Sequence, residues 1–208
     1  MMIATLVLAA ALSDQQKTTT AWIPRDPAKE CSGVKDPKLC ADLLAITDRD
    51  QIVRHKWLAN RDDKSLQDEV KEVDTTNLVQ IEAILKEHGW PSKALVGEKA
   101  AGAAWTVIQH SDLEVQKRYI AVMTKAADTG ELHWGLLATT IDRICVGEGK
   151  PQVYGTQFKE VNGEMVPEPI EDAEHVDQRR AKVGLQPLAE YAEMIKQFYK
   201  PKPAEKKR

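Results

Sequence analysis

Residues 109–157, QHSDLEVQKRYIAVMTKAADTGELHWGLLATTIDRICVGEGKPQVYGTQ, carry a helical repeat twice and then lose it. Ser111-Asp112-Leu113-Glu114 is a capping-box pattern, so one helix stops after His110 and another starts at once. Leu113, Gln116, Ile120, Met123 and Ala127 recur at three-and-four spacing, and Gly130 closes that helix. Trp134, Leu137, Ile141 and Ile144 mark a second helix over 131–146, ended by Gly147 and Gly149. From Pro151 the period becomes two, running to Val161 and into Asn162-Gly163, a strong short-range hairpin signal. This succession predicts a mainly α fold: a single-domain helical bundle with a small β-hairpin at about residues 153–166.

The same stretch puts polar side chains where its periodicity calls for apolar ones. Gln109 and His110 end an apolar stripe, Gln116 lies in step with Leu113 and Ile120, and Asp142-Arg143 sits on the stripe of the following helix. Asp142 and Arg143 are adjacent and cannot face the same way, so one points inward and the other flanks. Tyr154, Thr156 and Gln157, around Gly155, offer a phenol, a hydroxyl and an amide at the entrance to the ribbon. A polar group removed from water without a partner costs about 1–3 kcal/mol. Several on one inward face therefore either wire an internal network or line a pocket.

Toward the N-terminus, a helix over 97–110 is rich in Ala100, Ala101, Gly102, Ala103 and Ala104, small enough to let other backbones come close. Before it, Asp74-Thr75-Thr76 caps a helix bearing Leu78, Ile81 and Leu85, which Gly89 ends and Trp90-Pro91 cannot continue. Residues 62–73 form a more loosely packed helical segment. Asp36-Pro37 opens a helix to about Asn60 whose stripe is Leu39, Leu43, Ile46, Val53 and Trp57. Asp50 fills the missing step of that stripe, and Arg54 lies one turn on, placed to bridge to it. Toward the C-terminus, Asp172 caps a short helix carrying Arg179 and Arg180, Pro187 opens the last helix, and 200–208 is a basic tail.

Residues 1–13 read as a secretory signal: the apolar run 1–12 is too short to span a bilayer, and Ala11-Leu12-Ser13 offers small residues for cleavage. The basic start usual in signals is missing, and the alternative is an apolar N-terminus on a cytoplasmic protein. Residues 14–35 form an irregular arm, followed by the helical domain over 36–199. Cys31 and Cys40, separated by a loop-like segment, are spaced to close a local disulfide, whereas Cys145 falls in a helical pattern. Disulfide and signal together point to an exported, periplasmic protein. In a chain of 208 residues with net charge −3 there is no basic field for a phosphate backbone, which argues against nucleic acid as a partner.

No phosphate loop, dinucleotide fingerprint, nucleophile elbow or Cys-x-x-Cys pair occurs. The five histidines lack metal-ligand spacing, so neither a metal nor a cofactor is expected.

Asp50-Gln51-x-x-Arg54, Asn77, Gly89-Trp90-Pro91, Gln109-His110, Gln116, Asp142-Arg143, Gln152-x-Tyr154-Gly155-Thr156-Gln157 and Arg179-Arg180 together resemble a bacterial family catalogued as domain of unknown function 6624, over roughly residues 43–199. The resemblance implies a bacterial protein, often exported, and supplies no activity. Two functions follow from the residues. In the first, the inward set is a pocket for a polar small molecule or peptide, with chemistry of the hydrolase or transferase kind. His110 is then general base or acid, Asp142 or Asp50 orients it, and Arg143 or Arg54 stabilises an anion. Gln109, Gln116, Tyr154, Thr156 and Gln157 would line the site, Gln116, Thr156 and Gln157 positioning the substrate. In the second, the set is a structural network inside a non-enzymatic, immunity-like interaction module of the cell envelope.

Overall fold

A computed structural model describes residues 22–199. The expected signal segment and the basic tail lie outside these residues. Within them the chain is mainly helical, with one small antiparallel ribbon, and it clusters into two compact units, 22–136 and 137–199.

The first unit begins with Trp22 buried and a one-turn helix α1 (Pro27–Glu30), capped by Asp26, in the arm expected to be irregular. α2 (Pro37–Ala59) starts as its sequence requires: Pro37 has no N–H to satisfy, and the Asp36 carboxylate accepts from Leu39 N at 2.9 Å. The disulfide Cys31–Cys40 ties the arm to the first turn of this helix. α3 (Lys64–His88) departs from expectation, because the two segments separated at Asp74 form one continuous helix. The side chains that would have capped a break are used elsewhere: Thr75 Oγ1 donates back to Lys71 O at 2.9 Å, and Asp74 pairs with Arg54.

After Gly89, the short α4 (Lys93–Val96) and α5 (Glu98–Ala101) lead into α6 (Ala103–His110). The expected helix over 97–110 is thus interrupted at Gly102. Asp112 caps α7 (Leu113–Asp128), accepting from Val115 N at 2.9 Å. The core is assembled from Leu43, Leu44 and Ile46 of α2, Ile81 of α3, and Ala100, Ala104 and Val107 of α5 and α6. Its alanines let α2 and α3 lie close against α6.

α8 (Trp134–Gly147) leads into the second unit. Strands β1 (Phe158–Val161) and β2 (Glu164–Pro167) pair antiparallel, and Asn162 and Gly163 turn with φ of 53° and 83°, the left-handed pair that a two-residue hairpin needs. The alternation expected from Pro151 does not make a strand before Phe158. Gln152 instead forms an isolated parallel bridge with Ile170, and residues 153–157 are a loop. A two-stranded ribbon is marginal by itself. Phe158 and Met165 bury their side chains against Ile195 of the last helix, α10 (Leu188–Tyr199), which follows α9 (Val176–Lys182).

Replacing both Cys31 and Cys40 by serine is expected to lower unfolding free energy by about 2–3 kcal/mol, read from urea melts, because the loop that they close regains its freedom in the unfolded chain.

Candidate functional site

The expected site residues fall into two clusters, one in each unit. In the first unit, α2 supplies Asp50 and Arg54, α3 supplies Asp74, and the end of α6 supplies Gln109 and His110. Asp50 is 1% exposed. Its Oδ1 accepts from Arg54 Nε at 3.0 Å and lies 2.9 Å from His110 Nδ1, while Oδ2 accepts from Gln51 Nε2 at 2.7 Å. The other end of the Arg54 guanidinium donates to Asp74 Oδ1, so one cation joins two carboxyls across α2 and α3. On the far side of the imidazole, the Gln109 amide nitrogen is 2.8 Å from Nε2. With that amide donating, His110 carries its proton on Nδ1 and gives it to Asp50. Gln116 reaches from α7 to the preceding corner, its Nε2 donating to Gln109 O at 3.1 Å and Ser111 O at 2.8 Å.

The two carboxyls are driven in opposite directions. Burial works to raise the pKa of Asp50, but the His110 and Arg54 contacts outweigh it and hold the group below its ordinary value. Burial dominates at Asp74, and with the Asp50 charge reinforcing it against Arg54 the carboxyl is pushed up to about 6. Asp74 is the member that sequence reading missed. Its place before two threonines imitates a cap, and only the packing of α3 on α2 brings it to Arg54. Asp50, Asp74 and His110 each present a metal-ligating atom, all within 4.8 Å of one another. A cation entering there would compete with Arg54, which already contacts both carboxyls.

In the second unit Asp142 is fully buried, and it is the inward member of its pair, whereas Arg143 is half-buried. The Asp142 carboxylate gathers the 153–157 loop: Oδ1 accepts from Val153 N at 2.7 Å and Tyr154 N at 2.9 Å, and Oδ2 accepts from Thr156 N and Thr156 Oγ1, both at 2.9 Å. Burial pushes its pKa up against the pull of these donors. Gln152 clasps the same loop, its Nε2 donating to Gln157 O and Glu168 O at 2.9 Å and its Oε1 accepting from Gln157 N at 2.8 Å. Arg180 holds it from α9, donating to Tyr154 O at 2.7 Å and to Gln186 O at 2.6 Å, with its guanidinium 4.9 Å from the Tyr191 ring centre. Gln157 Nε2 donates to Thr139 O at 3.3 Å and to Thr156 Oγ1 at 3.0 Å. The Tyr154 phenol is half-buried, and burial raises its pKa. Neither Gln152 nor Arg180 was expected among the site residues: Gln152 lies in the alternating stretch from Pro151, where apolar side chains were called for, and Arg180 on the short helix after Asp172, and each also belongs to the resembling pattern.

Gly155 takes the left-handed φ of 70° that disfavours other residues, and a Cβ there would lie 2.9 Å from Leu188 Cδ1 and 3.0 Å from Ile170 Cδ1, so those side-chain ends would have to shift.

A family model described as "Family of unknown function (DUF6624)" matches residues 37–203, and the chain belongs to that family. No curated protein and no solved structure matches it.

Asp142→Asn puts an amide N–H against donors that need an acceptor, and is expected to cost on the order of 3 kcal/mol in urea unfolding. Gly155→Ala is expected to destabilise by about 2 kcal/mol, through strain at positive φ together with the clash on Leu188.

Proposed function

We propose that this family member is an exported bacterial protein that binds a polar small molecule or peptide at the Asp50–Arg54–Asp74–His110 cluster. Its chemistry is metal-independent acid–base catalysis of hydrolysis or transfer. The observation that carries this reading is the arrangement of two neighbouring carboxyls on one guanidinium, one of them also against His110, in environments that drive their pKa values apart. Environments that separate the pKa values of a pair assign one member as a base or orienting group and the other as an acid. Asp50 orients His110 and supports its positive charge, and Asp74, carrying a proton up to about pH 6, is the acid. His110 becomes a base at Nε2 when a ligand takes the place of the Gln109 amide. Arg54 is the group that meets an anion. Asp142, Thr156 and Gln157 then build the loop and do not act on the ligand, because the Asp142 oxygens are taken by that loop. Export is supported by the Cys31–Cys40 disulfide together with the apolar run at residues 1–12, and no helix among the described residues is long and apolar enough to cross a membrane.

A second reading is favoured by one observation: both His110 nitrogens and both Asp50 oxygens already have protein partners. In that reading the cluster is a satisfied network that locks α2, α3 and α6, and the protein is a non-enzymatic interaction module of the envelope. The two separate in a thermal-shift screen of cell-envelope metabolites on the wild type, on Asp74→Asn and on His110→Ala. A ligand-binding site gives hits whose shift disappears in both variants while circular dichroism stays native. A network gives no hit, and a loss of stability on His110→Ala, because buried Asp50 loses one of its three side-chain partners and keeps Arg54 and Gln51.

The raised carboxyl also predicts a pH dependence. Folded Asp74 holds its proton more tightly than the unfolded chain, where an aspartate titrates near 3.9, so between about pH 4 and 6 its contribution to stability falls as pH rises. Asp50, with a lowered pKa, acts in the opposite sense, and its stabilisation is lost only as pH falls below about 4. Unfolding free energies of Asp74→Asn minus wild type are expected to move in favour of the variant by about 2–3 kcal/mol from pH 4 to 7. A flat difference over that interval would remove the acid role.

A further inference from the structure

A groove of about 410 Å³ opens in the first unit between the arm, α2 and α3, with none of Asp50, Arg54, Asp74 or His110 in its lining. Its size falls in the range of ordinary ligand sites, which are largely apolar with a few placed polar groups. Pro27, Ala45, Ile52 and Val73 give it an apolar floor. Four charged side chains also line it, and they are not equally committed. Asp48 is consumed by the fold: its oxygens accept from Trp22 Nε1 at 2.9 Å and Arg25 N at 2.8 Å, and the Arg25 guanidinium faces it at 3.6 Å. Glu69 meets only Lys56, through Oε1 at 3.1 Å, and its side chain stays 43% exposed. Arg49 donates to the neutral Gln80 amide at 3.1 Å and takes part in none of the ion pairs formed among the described residues. The groove therefore presents one guanidinium open to an anion and one carboxylate open to a donor, together with an apolar floor.

We propose that this groove binds a short apolar peptide with a free carboxylate, its terminal carboxylate on Arg49, its backbone N–H groups or amino end on Glu69, and its side chains on Ile52 and Val73. A guanidinium takes a carboxylate through two parallel N–H···O bonds, which gives direction as well as attraction. A plain fatty acid satisfies Arg49 but leaves hydrocarbon against the Glu69 carboxylate, whereas a peptide supplies a donor there. This site is separate from the acid–base cluster, so either can fail without the other.

Isothermal titration of the full chain with trileucine tests it, beside trileucine amide and octanoate. Saturable one-to-one binding of trileucine is expected, with the amide and octanoate each at least tenfold weaker. Arg49→Gln, a substitution at a half-exposed position, should bring trileucine down to the affinity of the amide and leave the amide unchanged. Ala45→Trp, which fills the groove from an exposed position, should abolish binding. The assignment is overturned if trileucine does not bind at millimolar concentration, if octanoate matches it, or if Arg49→Gln binds as the wild type does.

Discussion

A carboxylate taken out of water keeps its charge only if the protein returns the hydrogen bonds that the solvent gave it, and the candidate cluster in each unit of this chain is built around one carboxylate at which that demand is met. Asp50 is supplied by Arg54, Gln51 and His110, which come from two helices. Asp142 is supplied almost wholly by main-chain N–H groups, from Val153, Tyr154 and Thr156. The difference in donor type carries consequences. Side-chain donors titrate and rotate, so Asp50 sits in a cluster whose charge state can change. Main-chain donors cannot, so Asp142 fixes the shape of a loop and the start of the ribbon that follows it.

The helices and the hairpin were legible because they rest on local rules. Asp36-Pro37, Gly89, Asp112 and Asn162-Gly163 act within one turn of themselves, and each ends or starts an element as its chemistry dictates. Asp50 and Gln116 stood out as inward polar groups because period arithmetic alone puts them on buried faces, and the Asp142-Arg143 pair because one of the two, left undecided, had to point inward. The chain did not disclose which of them meet. Asp50 and His110 are 60 residues apart, and their contact is made by helix packing that no local pattern encodes.

Asp74 shows the limit most clearly. Asp-Thr-Thr after a charged segment carries the same composition as a helix start, and cap propensity alone favours a break there. What keeps α3 continuous is tertiary: the carboxylate finds Arg54 and the threonine bonds its own helix, so nothing remains to favour a break. The loop 153–157 misleads in the opposite way. Its alternation imitates a strand, but side-chain partners at Asp142, Gln152 and Arg180 claim the backbone groups that a ladder would have used.

The bare backbone of Gly155 also bears on how the second unit comes into being. The loop anchored by Asp142 closes against Leu188, the first residue of α10, and the ribbon buries Phe158 against Ile195 of the same helix. Leu188 N is in turn held by Asp177. In chain order the loop and ribbon thus lack the surface of α10 until the C-terminal helix follows, while the core of the first unit is complete in sequence well before that point. Every residue of the first unit's core is therefore synthesised before the helix that the second unit's ribbon needs.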